Sequence, residues 1–252
     1  MRTAVVAALC AGTLVAPSAL AQEGPLTLGG GLHYSSGDYG TTTTTTITTL
    51  EATARYEAGR WTYKATLPYL FVSGATSVVP GIGNVRGKAP RTSNESGMGD
   101  IVVSATYAAY SDKQMGIDLT GKVKLPSADE AKGLGTGETD VAFLVDGYRT
   151  FERITGFGGI GYHILGDSPG LPLENAWSAN LGASYKLDER DSVGALFESR
   201  QRVVAGGARQ LELIGFFMRK LDRAWKAQAY ALIGLADGSP DWGIGATLGR
   251  PF

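Results

Sequence analysis

Hydrophobic and polar side chains alternate with a period of two along three neighbouring segments between residues 97 and 147. In the middle segment Ile117 and Leu119 lie on one predicted face, and Asp118 and Lys122 lie on the other. Successive side chains of a β-strand point to opposite faces, so this period predicts strands. A soluble sandwich would bury the apolar face in a core, whereas a transmembrane barrel turns it to lipid and lines a lumen with the polar face.

The same period continues over the rest of the chain and predicts twelve strands. Short turns alternate with loops that are mostly longer, and the longest loop covers residues 73–97. Outer-membrane barrels have short periplasmic turns and longer extracellular loops. The pattern therefore predicts an all-β fold, a single antiparallel transmembrane β-barrel of about 12 strands with this arrangement of turns and loops. The predicted strands are 25–37, 44–57, 60–72, 98–110, 114–126, 137–150, 152–165, 175–187, 190–204, 208–221, 224–236 and 240–252.

Aromatic residues at both ends of the same apolar faces support this assignment. Eight to ten residues separate the two ends of each pair. A tilted strand of that length rises about 20–25 Å, which approaches the apolar band of about 25 Å between the aromatic girdles of outer-membrane barrels. The pairs are Trp61 with Tyr69 and Phe71, Trp177 with Tyr185, and Trp242 with Phe252.

The first 21 residues have the pattern of a secretory signal peptide. Arg2 precedes an apolar run, and Ala19-Leu20-Ala21 forms a small-x-small cleavage site. The run is too short to cross a bilayer of roughly 30 Å as a helix. We therefore expect cleavage after Ala21, export to the outer membrane and one mature barrel domain, residues 22–252. The single cysteine, Cys10, lies in the segment to be removed, so the mature barrel would contain no disulfide.

The charge balance of the chain bears on its partners. It has 23 basic and 24 acidic side chains, so no strongly basic surface is expected and nucleic acid is excluded as a partner. The expected partners are outer-membrane lipid, a small-molecule solute and the barrel assembly machinery. The last expectation depends on Phe252, because a terminal aromatic strand resembles the signal that this machinery recognises in bacterial outer-membrane barrels.

Several short motifs are similar to those of one family of outer-membrane proteins. They resemble the β-barrel transporter family of the meta pathway of phenol degradation, well over residues 67–150 and as strand pattern elsewhere. The resemblance implies a twelve-stranded barrel that passes small molecules, aromatic or hydrophobic ones among them, and it implies no catalytic residue. The motifs are Leu67-Pro68-Tyr69, Gly97-Met98-Gly99-Asp100, Lys124-Leu125-Pro126, Gly133-Leu134-Gly135-Thr136-Gly137 and Asp140.

Two further patterns would suit enzymes. Residues 156–161 fit G-x-G-x-x-G, but a strand end and a turn follow where a nucleotide site needs a helix. The two histidines of the chain, His33 and His163, lie near no nucleophile motif such as G-x-S-x-G. Some outer-membrane barrels are lipid hydrolases, so a hydrolase is an alternative to a channel. Because neither histidine lies near a nucleophile motif, we expect no enzyme and no catalytic residue. We also expect no cofactor and no metal site.

Charged side chains on the inward faces are the candidate functional residues. They would either form a structural network that fills the lumen, giving a structural barrel, or line a polar path for small solutes. Barrels of about eight strands are filled and porins of about sixteen are open, so a lumen of twelve strands should be narrow. The candidates are Lys64, Asp118, Lys122, Lys124, Asp140, Asp146, Glu198, Arg200, Arg202, Glu212 and Lys226.

The longest loop, residues 73–97, is rich in glycine and proline but also contains apolar residues. Loops of this length are usually functional or disordered, and its apolar residues are unusual for a loop in water. We expect part of it to fold over or into the barrel mouth, with its apolar residues against the wall, and a mobile surface loop that only shields the rim is the alternative. Three basic residues would then lie at the entrance and attract anionic solutes. The apolar residues are Val78, Val79, Ile82 and Val85, and the entrance residues are Arg86, Lys88 and Arg91.

Overall fold

The chain is described over four ranges by a computed structural model. The predicted signal peptide and the predicted entrance residues Arg86, Lys88 and Arg91 lie outside the described residues, so these predictions stay predictions. The described residues are 25–85, 92–167, 171–222 and 225–252.

The described residues form fifteen β-strands and one turn of 3₁₀ helix, Glu130–Lys132. None of their helical segments has both the length and the hydrophobicity of a membrane span. The strands are β1 (Leu26–Gly37), β2 (Thr45–Ala58), β3 (Trp61–Ala75), β4 (Val78–Val79), β5 (Gly83–Asn84), β6 (Thr92–Met98), β7 (Ile101–Ser111), β8 (Met115–Leu125), β9 (Asp140–Phe151), β10 (Ile154–Ile164), β11 (Ala176–Lys186), β12 (Asp191–Arg200), β13 (Gln210–Lys220), β14 (Lys226–Gly234) and β15 (Trp242–Pro251).

The long strands form one closed antiparallel barrel. Neighbours along the chain pair with each other, and β1 closes the circle by pairing with β15. β6 and β7 both pair with β3 and meet at Gly99 and Asp100, so they are two halves of one barrel strand. β4 and β5 form a separate small hairpin. Counted this way, the described residues contain twelve barrel strands, and the predicted fold class is confirmed.

The period-two pattern places apolar side chains on the outer surface, and most of the charged side chains of the strands lie inside. Leu181 of β11 is 71% exposed, and Ile117 and Leu119 of β8 are also exposed. Asp118 and Thr120, which alternate with the β8 residues, are buried in the barrel interior. An exposed apolar surface that surrounds a polar interior is typical of a membrane-spanning barrel.

Aromatic side chains cluster at both ends of the apolar outer surface. The clusters place Trp177 and Trp242 near the long loops and Trp61 near the short turns, where amphipathic rings suit the membrane–water interface. The ring centroids are 4.9 Å apart for Tyr162 and Trp177, 5.3 Å for Tyr34 and Trp242, and 5.0 Å for Trp61 and Tyr107.

Aspartates stabilise two of the short turns. One carboxylate oxygen of Asp112 accepts hydrogen bonds from the backbone amides of Gln114 and Met115, at 2.7 and 2.8 Å. Asp188 accepts the equivalent pair in the turn after β11. These amide donors lower the pKa of both carboxyl groups, so the turn bonds persist at neutral pH and are lost as the pH falls through the lowered pKa.

The structure corrects three strand assignments. Residues 92–98, mostly assigned to the long loop, form β6, because pairing with β3 compensates for their weak strand propensity. β2 begins at Thr45, and the preceding threonines follow a turn in which the Thr41 amide donates to the Asp38 carbonyl oxygen. A register shift between Ala108 and Tyr110 turns Tyr110 outward, whereas strict alternation predicted Ala109 there.

The orientation of β11 gives a first testable prediction. Alternation predicts Ala179, Leu181 and Ala183 facing lipid and Asn180 facing the lumen, and Leu181 is indeed strongly exposed. We expect Leu181→Arg to destabilise folding into lipid by about 2–4 kcal/mol, because it places a charge near the bilayer midplane. Asn180→Arg is the matched control. It should be tolerated, because the Asn180 amide already contacts the Asp146 carboxylate at 3.4 Å. Equal effects in urea titrations of the lipid-embedded protein would contradict this register.

Candidate functional site

The loop after β3 folds into the barrel mouth. Val79, Ile82 and Val85 are buried in an apolar cluster with residues of the two loops that follow β10 and β12. Val78 packs separately against Tyr39 and Ala75. The four apolar residues that the sequence indicated are thus buried, and the expected inward fold is observed. The β4–β5 hairpin consequently narrows the opening at the long-loop end.

Arg200, at the end of β12, holds this hairpin against the barrel wall. Its Nη2 donates a hydrogen bond to the carbonyl oxygen of Gly81 at 2.8 Å, and the side chain is buried. Gly81 lies between β4 and β5 with φ of 80°, a conformation that favours glycine. The contact therefore joins the tip of the inward hairpin to a fixed strand.

The loop after β8 also reaches inward. Leu134 is 2% exposed and packs against Leu70 and Val72 on the inner face of β3. A Cβ atom at Gly97 would lie 2.9 Å from the Leu134 side chain, so a glycine at that position leaves room for the leucine. The long-loop end is thus covered from two sides.

Lys124 fixes the position of this second loop. Its Nζ lies 2.8 Å from an Asp140 oxygen and 3.2 Å from an Asp100 oxygen, and it donates to Thr136 Oγ1 at 2.9 Å. Asp100 also accepts the Ala128 amide at 3.0 Å. Lys124 and its three side-chain partners belong to the motifs that carried the family resemblance. Their shared role in this structure is to hold the loop after β8 across the mouth.

A cavity of about 310 Å³ lies below the two inward loops. Ile82 and Leu134 form part of its upper boundary. Below it lies an apolar cluster that contains Phe157, Phe216 and Tyr230, and Phe157 and Tyr230 also line the cavity. The cavity therefore lies between an apolar roof and an apolar floor, and its side walls carry both polar and apolar side chains.

Inward glycines make room for the rings of this floor. A Cβ atom at Gly116 would collide with the Tyr148 ring, and one at Gly182 would collide with the Phe157 ring. Gly194 and Gly245 are covered by Phe216 and Tyr230 in the same way. Each ring lies over a glycine on a neighbouring strand, so the absence of a side chain at that position leaves room for the ring.

The structure places most of the candidate charges inside the barrel. Asp118, Lys122, Asp146 and Arg200 are buried, and Lys64, Lys124, Asp140, Glu198 and Glu212 are half-buried on inward faces. Lys226 is exposed near the short-turn end.

The prediction that Arg202 lines the lumen was wrong. β12 ends at Arg200 instead of residue 204, so Arg202 lies in the following loop. It forms an exposed ion pair with Glu174, with 3.2 Å between Nε and the nearest carboxylate oxygen. Strand alternation assigns a face only as far as the strand continues, and here the pairing with β13 stops at Arg200.

Sequence reasoning missed a second polar group, on β1, β2 and β14. His33 Nδ1 is 2.9 Å from the hydroxyl oxygen of Tyr230, and His33 Nε2 is 3.4 Å from a Glu51 oxygen. All three residues are buried inside the barrel and line the cavity. The signal that could have identified Glu51 is its alternation with outward Leu50 in β2.

His163 and Ser178 form a hydrogen-bonded pair, with Nε2 2.7 Å from Oγ. The other ring nitrogen, Nδ1, has no hydrogen-bond partner in the described part of the chain. A Ser–His nucleophile needs a group that orients the imidazole. Both side chains line the internal cavity, so they do not face the lipid substrate of a hydrolase. The described ranges also contain no group of three or more side chains that could hold a metal ion.

Tyr39 lies in the loop after β1 and lines the upper cavity. Burial raises the pKa of its hydroxyl to about 12, so it stays a neutral phenol at physiological pH. Tyr39 therefore offers a hydrogen-bonding hydroxyl and no charge at the mouth.

Comparisons with known proteins agree with this architecture. Residues 21–248 match the family model described as "Putative MetA-pathway of phenol degradation". None of the curated proteins matches the chain. The fold is similar to the COG4313 outer membrane channel from Pseudomonas putida F1, with TM-score 0.72, 14% identity, and 94% of this chain and 100% of that chain covered. It is also similar to the KdgM porin, with TM-score 0.57, 9% identity, and coverage of 89% and 99%.

A third similar fold is the translocator domain of the autotransporter NalP from Neisseria meningitidis. Its TM-score is 0.55 at 13% identity, with 90% of this chain and 88% of that chain covered. At these identities the likeness concerns the barrel fold alone.

Proposed function

We propose, from the premise that the chain belongs to the family described as "Putative MetA-pathway of phenol degradation", that it is an outer-membrane channel for small molecules, aromatic or hydrophobic ones among them. The observation that carries the proposal is the cavity of about 310 Å³ inside the barrel, between the inward loops and the ring-lined floor. Its size suits a small organic molecule, since ligand pockets commonly measure about 300–1,000 Å³.

The lining supports passage of molecules with an apolar body. Phe157, Leu144 and Leu196 contribute apolar surface, while Ser178 and Asn180 offer hydrogen bonds. Contacts with aromatic rings and aliphatic side chains compensate for the free energy that a solute loses when it gives up its water in the cavity. Two similar folds are named as a channel and as a porin, which favours transport over a purely structural barrel.

The proposal includes the route by which the protein reaches its membrane. Residues 1–21 would act as the signal peptide with cleavage after Ala21, and residues 22–252 would form the barrel. Phe252 would be the residue that the barrel assembly machinery recognises. The apolar outer surface would then contact outer-membrane lipid.

A liposome flux assay tests the proposed function. Vesicles that contain the folded protein should swell with small neutral polar solutes such as glycerol, and the rate should fall as solute size increases. Benzyl alcohol in the medium should slow this flux by occupying the ring-lined cavity. Vesicles without protein provide the baseline. Flux equal to that baseline, with folding verified by heat-modifiable migration, would contradict a channel.

The alternative of a lipid hydrolase has its own test. The Ser178–His163 hydrogen bond is the observation in its favour, but the pair lacks an orienting group in the described residues. We expect no release of fatty acid from phospholipid or lipopolysaccharide by the wild type above the level of Ser178→Ala, His163→Ala or His33→Ala. Release that disappears in the Ser178 and His163 variants would establish the hydrolase instead.

A further inference from the structure

Four inward carboxylates share one hydrogen-bonded row across β8 to β13. Asp118 lies directly opposite Asp146 on the neighbouring strand, and Glu198 lies directly opposite Glu212. Like charges in directly opposite positions destabilise a sheet, so the barrel bears a cost for this arrangement. Two such pairs in one row place four carboxyl groups along one line of the inner wall.

Asp146 is a buried acidic residue of this row that lies behind the cavity lining. Asp146 is 2% exposed, and one of its carboxylate oxygens, Oδ1, lies 3.4 Å from the Asn180 side-chain amide nitrogen. The other oxygen, Oδ2, is buried and has no hydrogen-bond partner in the described ranges. A buried carboxylate oxygen without a donor is unfavourable, and its uncompensated polarity favours a positive charge in the adjacent cavity. Asn180, beside it, lines the cavity.

The cavity itself also has more acidic than basic groups. Glu51, Glu198 and Glu212 line it, facing Lys122 and Arg200. A third basic residue, Lys124, is held between the carboxylates of Asp100 and Asp140 and so contributes no excess positive charge. With Asp118 and Asp146 behind the lining, acidic side chains exceed basic ones on this part of the lumen. Rings of Asp and Glu are the usual basis of cation selectivity in pores.

We propose that the cavity selects small organic cations, in which an ammonium group is attached to an apolar or aromatic body. The ammonium donates hydrogen bonds to the carboxylates of the side walls, and the apolar body packs on Phe157 and Tyr230 below. The faces of aromatic rings attract cations as well as apolar groups. The ring-lined floor therefore also favours cationic solutes over anionic ones. The inference rests on the proposed channel function and specifies its solute class. It runs opposite to the anion attraction that the sequence suggested for Arg86, Lys88 and Arg91, which would act only at the entrance.

Three solutes that share one benzyl or phenyl ring test the charge preference. In planar bilayers the wild type should pass potassium in preference to chloride, measured as the reversal potential in a salt gradient. Benzylammonium should block the current at concentrations several-fold lower than benzyl alcohol, and benzoate should block least. A chloride preference, or benzoate as the strongest blocker, would overturn the proposal.

Isosteric variants locate the effect. Asp146→Asn and the double variant Glu198→Gln with Glu212→Gln should each lower the potassium-to-chloride ratio and weaken the benzylammonium block. Glu174→Gln is the matched control, because Glu174 is an exposed carboxylate at the rim that pairs with Arg202. A ratio that changes equally in the control and in the lumen variants would also overturn the proposal.

Binding measured by calorimetry tests the cation preference separately from the channel function. If the folded protein conducts nothing, the channel function fails, and binding of benzylammonium to the detergent-solubilised barrel then decides the solute class. Tighter binding of benzylammonium than of benzoate, lost in the double variant Glu198→Gln with Glu212→Gln, supports the acidic row as a cation site. Absence of that preference rejects it, whatever the result on conductance.

Discussion

Removal of the inward hairpin, residues 78–84, is expected to raise the single-channel conductance several-fold. The hairpin narrows the mouth, where Val79 and Ile82 are buried against the loops after β10 and β12. Its ends are already adjacent, because the Val85 amide donates to the Ser77 carbonyl oxygen at 2.7 Å. Two glycines in place of the hairpin should therefore bridge the gap without straining β3. The measurement is conductance in planar bilayers.

A point substitution at Arg200 should have a smaller effect than this deletion. Arg200→Gln removes the charged donor to Gly81 but keeps the hairpin, so we expect a smaller conductance increase and more frequent fluctuations between current levels. Arg202→Gln, two residues further in the exposed loop, should have no effect on either. If the deletion variant folds and conducts like the wild type, the hairpin is a surface cover and does not constrict the pore.

Substitution of Lys124 by methionine is expected to release the other inward loop. The substitution leaves the carboxylates of Asp100 and Asp140 without the ammonium that lies 3.2 and 2.8 Å away. Removal of one partner from a largely buried ion pair destabilises a protein by about 3–5 kcal/mol. We expect a loss of this order in urea titrations and a higher conductance, because Leu134 would no longer be held against Leu70.

Lys132→Met is the matched control for this prediction. Lys132 lies in the same loop, is exposed, and makes one long contact of 3.5 Å to the Ser96 carbonyl oxygen. It should change stability by less than about 1 kcal/mol, as exposed pairs do. Equal stability and conductance in Lys124→Met and the wild type would show that packing of Leu134, and not the ion pair, holds the loop.

The sequence predicted the barrel well because its pattern is local. Alternation specifies which face each residue takes, and it correctly placed Leu119 outside and Asp118 on the opposite, inward face. The strand order could also be predicted from the sequence alone, because each barrel strand pairs with its neighbour along the chain. Pairing of β1 with β15 then closes the barrel. Alternation fails where the register shifts, as at Ala108, and where a strand ends, as at Arg200 before Arg202.

The site was less predictable because its geometry depends on contacts between distant loops. The motif residues Asp100, Lys124 and Asp140 were recognised by resemblance, but only the fold brings them together. The hairpin contact of Arg200 with Gly81 joins residues on different strands and loops, and no local pattern indicates it. Glu51 was missed because threonines lie on both faces of β2, so the apolar and polar faces of this strand are weakly distinguished.

Single-channel recording of the wild-type protein in planar bilayers tests the central claim most directly. Protein that is verified as folded by heat-modifiable migration should give small, discrete conductance steps, because two inward loops narrow the mouth and the ring-lined floor lies below the cavity. Aromatic solutes should interrupt these steps by occupying the cavity above Phe157. Complete impermeability of the folded barrel to ions and small solutes would contradict the account and leave a structural barrel with a filled lumen.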